Sequence, residues 1–594
     1  NMTSLLRSLH LLMFSHFICL GAHGQIVQVG NDLDGQASVN FFGSSAAISA
    51  DGQIIAVGAP FNSNNGTNSG NVRVFQWLSG TWQQMGNDMN GESSGDQFGG
   101  SVAISKDGSI LAAGSRFNNL DTGHVRIYEF TPSGWVQMGN DIEGSNSGEQ
   151  FGYSLAISDS GSRVVIGTPW KRINGNRTGQ AVVYELQNGI WTILGNTIFG
   201  LDSVQNFGHS VSISGNGSRI AAGSPNYSDS ASLNKGCVDV FDFINGTWTA
   251  SVSKILGATQ GDEFGTSVML SSNGDRIIIG APKNSGSAVL AGHARVFEFS
   301  NGVVSQLGVD LQGENAVDFF GKSVCISNDG NFVAVGAIYN DGGGFDAGHV
   351  RCFKLNQGNW IQLGSDIDGE ATNDFSGTAI QYSKKGNYLI VGANHNDGNG
   401  PESGHVRVLN ICYDSITSPT DFSSYLNPGW ATFNVFCSDS LANYQWQMND
   451  GTGWVDLSNA GQFIGVDTDV LELTGVNLSM NNYLFRCIVS HCRVDTTNSA
   501  KLSVINGMEI HLDAAVQKIK VTPNPSSGIF HLNHSGTDLI KEVQVFDLLG
   551  RLVEHISCTQ TSFCMLDLTN HPNGTYRIHV THQNGFDDLY VVIQ

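Results

Sequence analysis

The sequence predicts an all-β chain: a seven-bladed β-propeller over residues 25–411, followed by two small β-sandwiches over 412–506 and 513–594. Three observations carry that expectation. A Phe-Gly pair recurs at Phe42-Gly43, Phe98-Gly99, Phe151-Gly152, Phe207-Gly208, Phe264-Gly265 and Phe320-Gly321, with Phe375-Ser376-Gly377 as a degenerate seventh, at steps of 56, 53, 56, 57, 56 and 55 residues. Each unit holds four strand-like runs, and a period of this size with four strands per unit reads as a propeller blade. The composition agrees, since 74 Gly, 11 Pro and 14% charged residues among 594 suit many short strands joined by tight turns.

Taken in order, residues 1–24 read as a secretory signal peptide: Arg7, an apolar run from Leu11 to Leu20, then Ala22-His23-Gly24 before Gln25. Ile18 stands where a lipidated Cys19 would need a small residue, which excludes a lipoprotein signal. No later segment reaches the roughly 18–20 apolar residues that a membrane helix needs. In the first full unit, strands a to d are expected at Ser45–Ser49, Gln53–Ala59, Val72–Gln76 and Thr81–Gly86. Asp51-Gly52, Asp107-Gly108 and Asp329-Gly330 mark the a–b hairpin. Strand b is apolar on both faces (Ile54, Ile55, Ala56, Val57), so it must be covered on both sides, as neighbouring blades do. The seventh set of a, b and c ends at Val406–Leu409 without a d strand, and Ile26–Asp32 repeats the pattern of Trp135–Asp141. The N-terminal strand is therefore expected to complete the seventh blade and remove its open edge. Its loss should destabilise the whole ring.

These units resemble the FG-GAP-like repeats of integrin-type seven-bladed propellers. They are more similar still to secreted repeat proteins of the Bacteroidetes, whose units run W-x-Q-x-G-x-D-I-x-G, F-G-x-S-V-A-I-S-x-D-G and G-H-V-R-V-Y. From Cys412 the repeat stops, and YQWQMNDGTGWVDL followed by DVLELTGVNLSMNNYLFRCIVS places Cys437, Trp446 and Cys487 in immunoglobulin order. The segment resembles the Ig-like modules of Bacteroidetes surface proteins, as a spacer or a ligand binder, with Cys437–Cys487 as the expected bridge and Cys412–Cys492 as a second pairing. The pairing of Cys558 and Cys564 stays open. The last segment opens with Val521-Thr522-Pro523-Asn524-Pro525-Ser526-Ser527-Gly528, continues with VQVFDLLGRLV and LDLTNHPNGTYRIHV, and ends in a strand over Leu589–Ile593. It resembles the type A C-terminal sorting domain of the type IX secretion system, although Asp587-Asp588 stands where that family carries basic residues. The resemblance implies an outer-membrane translocon as partner and a secreted or outer-surface location.

For function, a net charge of −23 argues against nucleic acid as a partner, since phosphate binding needs clustered Lys and Arg. The pairs Asp32/Asp34 and Asp366/Asp368 are the nearest approach to a calcium loop, but each lacks a first carboxylate and has an apolar residue between, which favours a turn over a ligand set. His124, His293, His349 and His405 recur with Arg73, Arg126, Arg295, Arg351 and Arg407 two places after the same position, so a structural role is expected, with each Arg paired to the acid before Phe-Gly (Asp96, Glu149, Glu263, Asp318, Asp374). The loops after strand b hold Phe61-Asn62, Phe117-Asn118, Trp170-Lys171, Asn226-Tyr227, Lys283-Asn284, Tyr339-Asn340 and His395-Asn396, all expected on one face of the disc. Two readings stand: an aromatic and amide ring suited to sugars, or Asn serving the turn while the aromatic plugs the gap between blades. No nucleophile elbow, HExxH or phosphate loop is present. The expectation is a non-catalytic binding or adhesion protein without a cofactor, its ligand a glycan or a protein. The alternatives are a polysaccharide-acting enzyme and a scaffold subunit of an envelope assembly.

Overall fold

Each repeat folds as one antiparallel sheet because short turns leave its strand runs only their sequence neighbours to pair with. In the first, Ser45–Ile48 (a), Ile54–Ala59 (b), Asn71–Leu78 (c) and Thr81–Gln84 (d) pair in that order, within two residues of the expected limits. Asp51 builds the a–b turn: the Ser49 hydroxyl donates to its carboxylate at 2.6 Å, the Gln53 N–H donates to the same oxygen at 3.0 Å, and Gly52 takes φ +78°. This computed structural model describes residues 25–593 apart from 202–204, 301, 413–415, 426–428, 438–441, 491–493, 506–518, 523–527, 535–538, 548–550, 562, 573 and 583–584, so the signal-peptide assignment lies outside the described residues. The chain separates into two compact units, one of residues 1–420, 432–472 and 484–501, the other of 421–431, 473–483 and 502–594.

Seven such sheets follow one another, and their innermost strands touch in a closed circuit from Ser45–Ile48 round to Ala379–Tyr382 and back. The last sheet takes its outer strand from the N-terminal segment: Gln25–Gln28 runs antiparallel to His405–Cys412, with Gln25 opposite Cys412 and Gln28 opposite Leu409.

The sheets are joined at three levels. At the a–b hairpin end, each of seven backbone N–H groups donates to the carbonyl of the next sheet: Ala50 to Lys106 (2.8 Å), Lys106 to Asp159 (2.9 Å), Asp159 to Gly215 (2.9 Å), Gly215 to Ser272 (2.7 Å), Ser272 to Asn328 (3.1 Å), Asn328 to Lys384 (3.1 Å), and Lys384 back to Ala50 (3.0 Å). In mid-sheet, the Gly of the Phe-Gly pair lies against the Gly one residue before the end of strand b of the preceding sheet. A Cβ on Gly58, Gly167, Gly223 or Gly280 would overlap the carbonyl oxygen of Gly99, Gly208, Gly265 or Gly321. The Ser45 and Ser210 hydroxyls donate to the carbonyls of Gly99 and Gly265 at 2.7 and 2.8 Å. At the outside, Trp82, Trp135, Trp191, Trp248 and Trp360 each donate Nε1–H to a carbonyl of the preceding unit at 2.8–3.0 Å.

The recurring Arg does not pair with the acid before Phe-Gly. The guanidinium of Arg73, Arg295 and Arg351 lies over the anchor ring of Phe42, Phe264 and Phe320, at 4.3, 4.4 and 5.0 Å from its centre. Arg73, Arg295, Arg351 and Arg407 also donate to the carbonyls of Asp34, Leu256, Gln312 and Asp368. The acids are taken up elsewhere, Asp96 accepting from the N–H groups of Glu92 and Ser93 at 3.1 and 2.8 Å.

Beyond the ring, Phe422–Tyr425, Asn443–Asn449, Trp454–Asp456, Leu484–Ser490, Val494–Thr496 and Ala500–Ile505 form one sheet, and Trp430–Asn434, Phe463–Ile464 and Val470–Thr474 another. Trp446 is fully buried and donates Nε1–H to the Thr468 carbonyl at 2.9 Å. The expected Cys437–Cys487 bridge is not formed: Cys487 keeps a buried thiol, and Cys437 lies beyond the strand Trp430–Asn434, paired through its backbone with Ile416. Phe433 fills the interior beside Cys487, stacking on Phe485 with ring centres 4.7 Å apart and lying 6.4 Å from Trp446. The Cys412–Cys492 pairing falls outside the described residues. The last segment has sheets of three and four strands around Phe530, Leu532, Val543, Val545, Ile578 and Val591. Cys558 and Cys564 are disulfide-bonded. The final strand, Gly585–Ile593, starts four residues before the expected Leu589, because the backbones of Asp587 and Asp588 continue the ladder opposite Val580 and His579. It is an edge strand, where charged residues are at home.

The glycine contact sets a specific expectation. Gly223→Ala should destabilise the ring by about 1–3 kcal/mol through overpacking against the Gly265 carbonyl. Gly246→Ala, in an exposed turn with open space around its Cβ position but φ +85°, should cost about 1 kcal/mol through backbone strain alone. Urea unfolding followed by tryptophan fluorescence compares the two.

Candidate ligand-binding rim

Strand a starts where strand b ends, so the Phe-Gly turn and the b–c loop meet at the mouth opposite the seven-bond ring. The residue just before each anchor is left-handed: Phe41, Gln97, Gln150, Asn206, Glu263, Phe319 and Phe375 all have φ between 52° and 57°. The turn requires it, since the Ser44 N–H and hydroxyl both close back on the Phe41 carbonyl, at 3.2 and 2.7 Å. A Phe in this region carries strain of order 1–3 kcal/mol. Three of the seven positions hold one, and the strain points to a use for the ring.

That use is a continuous aromatic arc. Phe61 lies 4.9 Å from Phe41, Phe41 4.7 Å from His395, His395 4.5 Å from Phe375, Phe375 5.3 Å from Tyr339, and Tyr339 5.2 Å from Phe319, mostly edge to face. Across the mouth Trp170 packs on Tyr153 (4.9 Å) and Tyr153 on His209 (5.0 Å), with the Arg116 guanidinium over Phe117 and Tyr153 at 4.8 and 5.3 Å. Each side chain in the arc is partly exposed.

The loop pairs thus divide by position. The first members (Phe61, Phe117, Trp170, Asn226, Lys283, Tyr339, His395) reach the rim, whereas Asn62, Asn118, Lys171, Asn284, Asn340 and Asn396 are buried. Asn284, Asn340 and Asn396 donate to Asp262, Asp318 and Asp374 at 3.0, 3.1 and 3.1 Å and accept from the N–H two residues on. Asn62 accepts from the Asn64 N–H at 2.9 Å, and Lys171 pairs with Glu149 at 2.9 Å. Their polar atoms serve the turn. Tyr227 sits at this second position too, half-buried, with Lys254 Nζ 5.5 Å from its ring centre. Sequence reasoning missed Phe41, Phe319, Phe375, Tyr153 and His209; the doubled Phe41-Phe42 and Phe319-Phe320 were the available signal.

Charge at the rim is subdued by burial. Desolvation, with Lys322 and Arg116 nearby, brings His209 down to about 4, and desolvation lowers His395, so both imidazoles are neutral at pH 7. Burial also lowers Arg116 and Lys322. Glu263 is held by Lys283 at 2.8 Å. Of the calcium candidates, Asp32 accepts from Gln28 at 2.6 Å and Asp366 from Gln362 at 2.7 Å, and among the described residues neither Asp34 nor Asp368 joins a group of three convergent ligand atoms.

Comparison with known families fits this architecture. Residues 520–594 match the secretion system C-terminal sorting domain. The C-terminal segment is a sorting domain. Residues 33–75 match the FG-GAP repeat, so the sorting domain exports an FG-GAP β-propeller to the cell surface or the medium through the type IX system. No helix among the described residues is long and apolar enough to cross a membrane. Comparison with curated proteins gives no match. Solved structures with some likeness include a protein provisionally named 6-phosphogluconolactonase from Bacteroides fragilis (TM-score 0.40, 13% identity, 58% of this chain and 96% of that one). The periplasmic gluconolactonase of Pseudomonas aeruginosa (0.39, 13%, 68% and 95%) and the β-propeller domain of the Trilobed protease of Pyrococcus furiosus (0.34, 9%, 59% and 88%) are two more. Likeness at this level carries no inference about activity.

The half-buried rim histidine His209 has a pH consequence. His209 is lowered in the folded chain, so the unfolded chain binds the extra proton between about pH 6.5 and 4. Stability is then full above pH 6.5 and falls as pH drops through that window, by roughly 3 kcal/mol at most for this group. Thermal unfolding measured from pH 7.5 to 4.5 should show the decline, and His209→Gln should flatten it.

Proposed function

We propose that this exported propeller is a non-catalytic binding module that takes a glycan on its aromatic rim. The observation that supports it is the unbroken arc Phe61–Phe41–His395–Phe375–Tyr339–Phe319, built partly from phenylalanines in a strained backbone conformation. Aromatic faces cover the C–H patches of a sugar ring, and neighbouring amides and backbone groups meet its hydroxyls. The arc gathers side chains from several blades, as a broad binding surface does. Glu263, the one carboxylate among the seven left-handed rim positions, is tied to Lys283, which favours binding over acid–base chemistry on a polysaccharide.

The test is binding of the secreted full-length chain to a broad glycan panel, with soluble polysaccharides assayed in parallel for cleavage. Phe375→Ala and Tyr339→Ala should each weaken the strongest binder at least tenfold, about 1.4 kcal/mol or more, while Phe563→Ala in the sorting domain leaves it unchanged. A folded chain that binds no glycan overturns the reading in favour of a protein ligand or scaffold partner. Cleavage of a polysaccharide overturns it in favour of an enzyme.

A further inference from the structure

Three positions meet where one sheet hands over to the next: the residue after the Gly that closes one repeat, the first residue of the following c strand, and the acid after that sheet's d strand. At the first junction they are Gln36, Asn71 and Asp88, and they satisfy one another: Gln36 Nε2 and Asn71 Nδ2 both donate to the Asp88 carboxylate, at 3.0 and 3.3 Å.

At three other junctions the two amides become a carboxylate and an imidazole. Glu92–His124–Asp141, Glu314–His349–Asp366 and Glu370–His405–Asp32 each bring one ligand atom apiece within 4.8 Å of the others. His124, His349 and His405 are 0–1% exposed. Neither ring nitrogen of His124 or His349 has a hydrogen-bond partner, nor does Nε2 of His405. Each Nδ1 faces its aspartate at 3.7, 3.5 and 4.0 Å, beyond hydrogen-bond reach. A buried imidazole without partners is costly, and the repetition of the arrangement calls for a reason.

An arginine sits beside each triad: Arg126 contacts Glu92 and Asp141, Arg351 lies 3.3 Å from Glu314, and Arg407 3.6 Å from Glu370. One guanidinium offsets one of two carboxylates. Each triad is left with one negative charge beside a buried imidazole.

We propose that these three triads bind a divalent cation of the zinc type, one imidazole nitrogen and two carboxylate oxygens per ion. One imidazole with two carboxylates suits a borderline cation better than calcium, which prefers six to eight oxygens. The buried histidine and the aspartate form the fixed side. The glutamates, with side chains 53%, 45% and 42% exposed, are the ligands that swing in to close the site. Each ion would staple two consecutive sheets. The third would hold Asp32 of the N-terminal segment against the last c strand, where the ring closes. His293 and Asp310 repeat two of the positions at 3.6 Å, but Ala258 stands where the glutamate would be, so this junction is an internal control.

The experiment is titration of the chelator-stripped full-length chain with Zn²⁺ against a chromophoric competitor at pH 7.5, with thermal unfolding run on the same samples. Expected are three equivalents per chain and a rise in Tm. Glu92→Gln, Glu314→Gln and Glu370→Gln, at exposed side chains that leave the core intact, should each remove one equivalent, and His293→Ala should remove none. No uptake by a folded chain overturns the proposal. So does a stoichiometry that survives in the triple Glu→Gln variant, which would mark the zinc as adventitious surface binding.

Discussion

The structure depends on close backbone-to-backbone contact between neighbouring sheets. Seven N–H to carbonyl bonds form a circuit through Ala50, Lys106, Asp159, Gly215, Ser272, Asn328 and Lys384, each joining one sheet to the next. The circuit closes because glycines in mid-sheet let one sheet's carbonyl occupy the volume of its neighbour's missing Cβ. Sheets packed through ordinary side chains stand about 10 Å apart, too far for such bonds. The Phe-Gly pair and the glycine near the end of strand b are therefore one device seen from two sides: a glycine on each sheet, with the Phe of the pair filling the core at 0–3% exposure.

The same constraint shapes both ends of the ring. At the hairpin end the circuit borders a cavity of about 200 Å³ lined by aliphatic side chains such as Ile48, Ile104 and Ile157 and by polar ones including Lys106, Gln381 and Lys384, whose ammonium donates to Asp159 at 2.9 Å. At the other end, seven residues, one before each Phe-Gly pair or its counterpart, sit in a left-handed turn. Where those are Gln or Asn the turn is cheap; where they are Phe it is strained, and the aromatic arc results. Scaffold and candidate site share one backbone geometry, so rim residues vary without disturbing the blades.

Much of this was legible in the sequence. Phe-Gly spacing and strand b's two-sided apolar character give the repeat, and the copy of Trp135–Asp141 at Ile26–Asp32 gives the closure, because both are local patterns with a single sheet solution. The failures are of a different kind. The recurring Arg is expected to pair with the acid before Phe-Gly, but Arg73, Arg295 and Arg351 lie over the anchor Phe, and Arg126, Arg351 and Arg407 meet other acids, Glu92, Glu314 and Glu370. Cys437 and Cys487 have the order of a bridged pair, yet Phe433 occupies the interior beside Cys487, a matter of strand register. In the loop pairs only the first residue reaches the rim, since a turn buries the second. Phe41, Phe319 and Phe375 were hidden because the sign of φ is not written in residue type.

The most direct test of the central claim is hydrogen exchange at the seven circuit amides, in the intact chain and in one lacking residues 25–35. If the ring is a single closed constraint, all seven amides of the intact chain exchange together, at the rate of global unfolding, and all seven lose protection in the truncated chain. Loss confined to Asn328 and Lys384, whose N–H bonds tie the last sheet to its two neighbours, with Lys106, Asp159 and Gly215 still protected, would contradict it and show blades that hold their places independently.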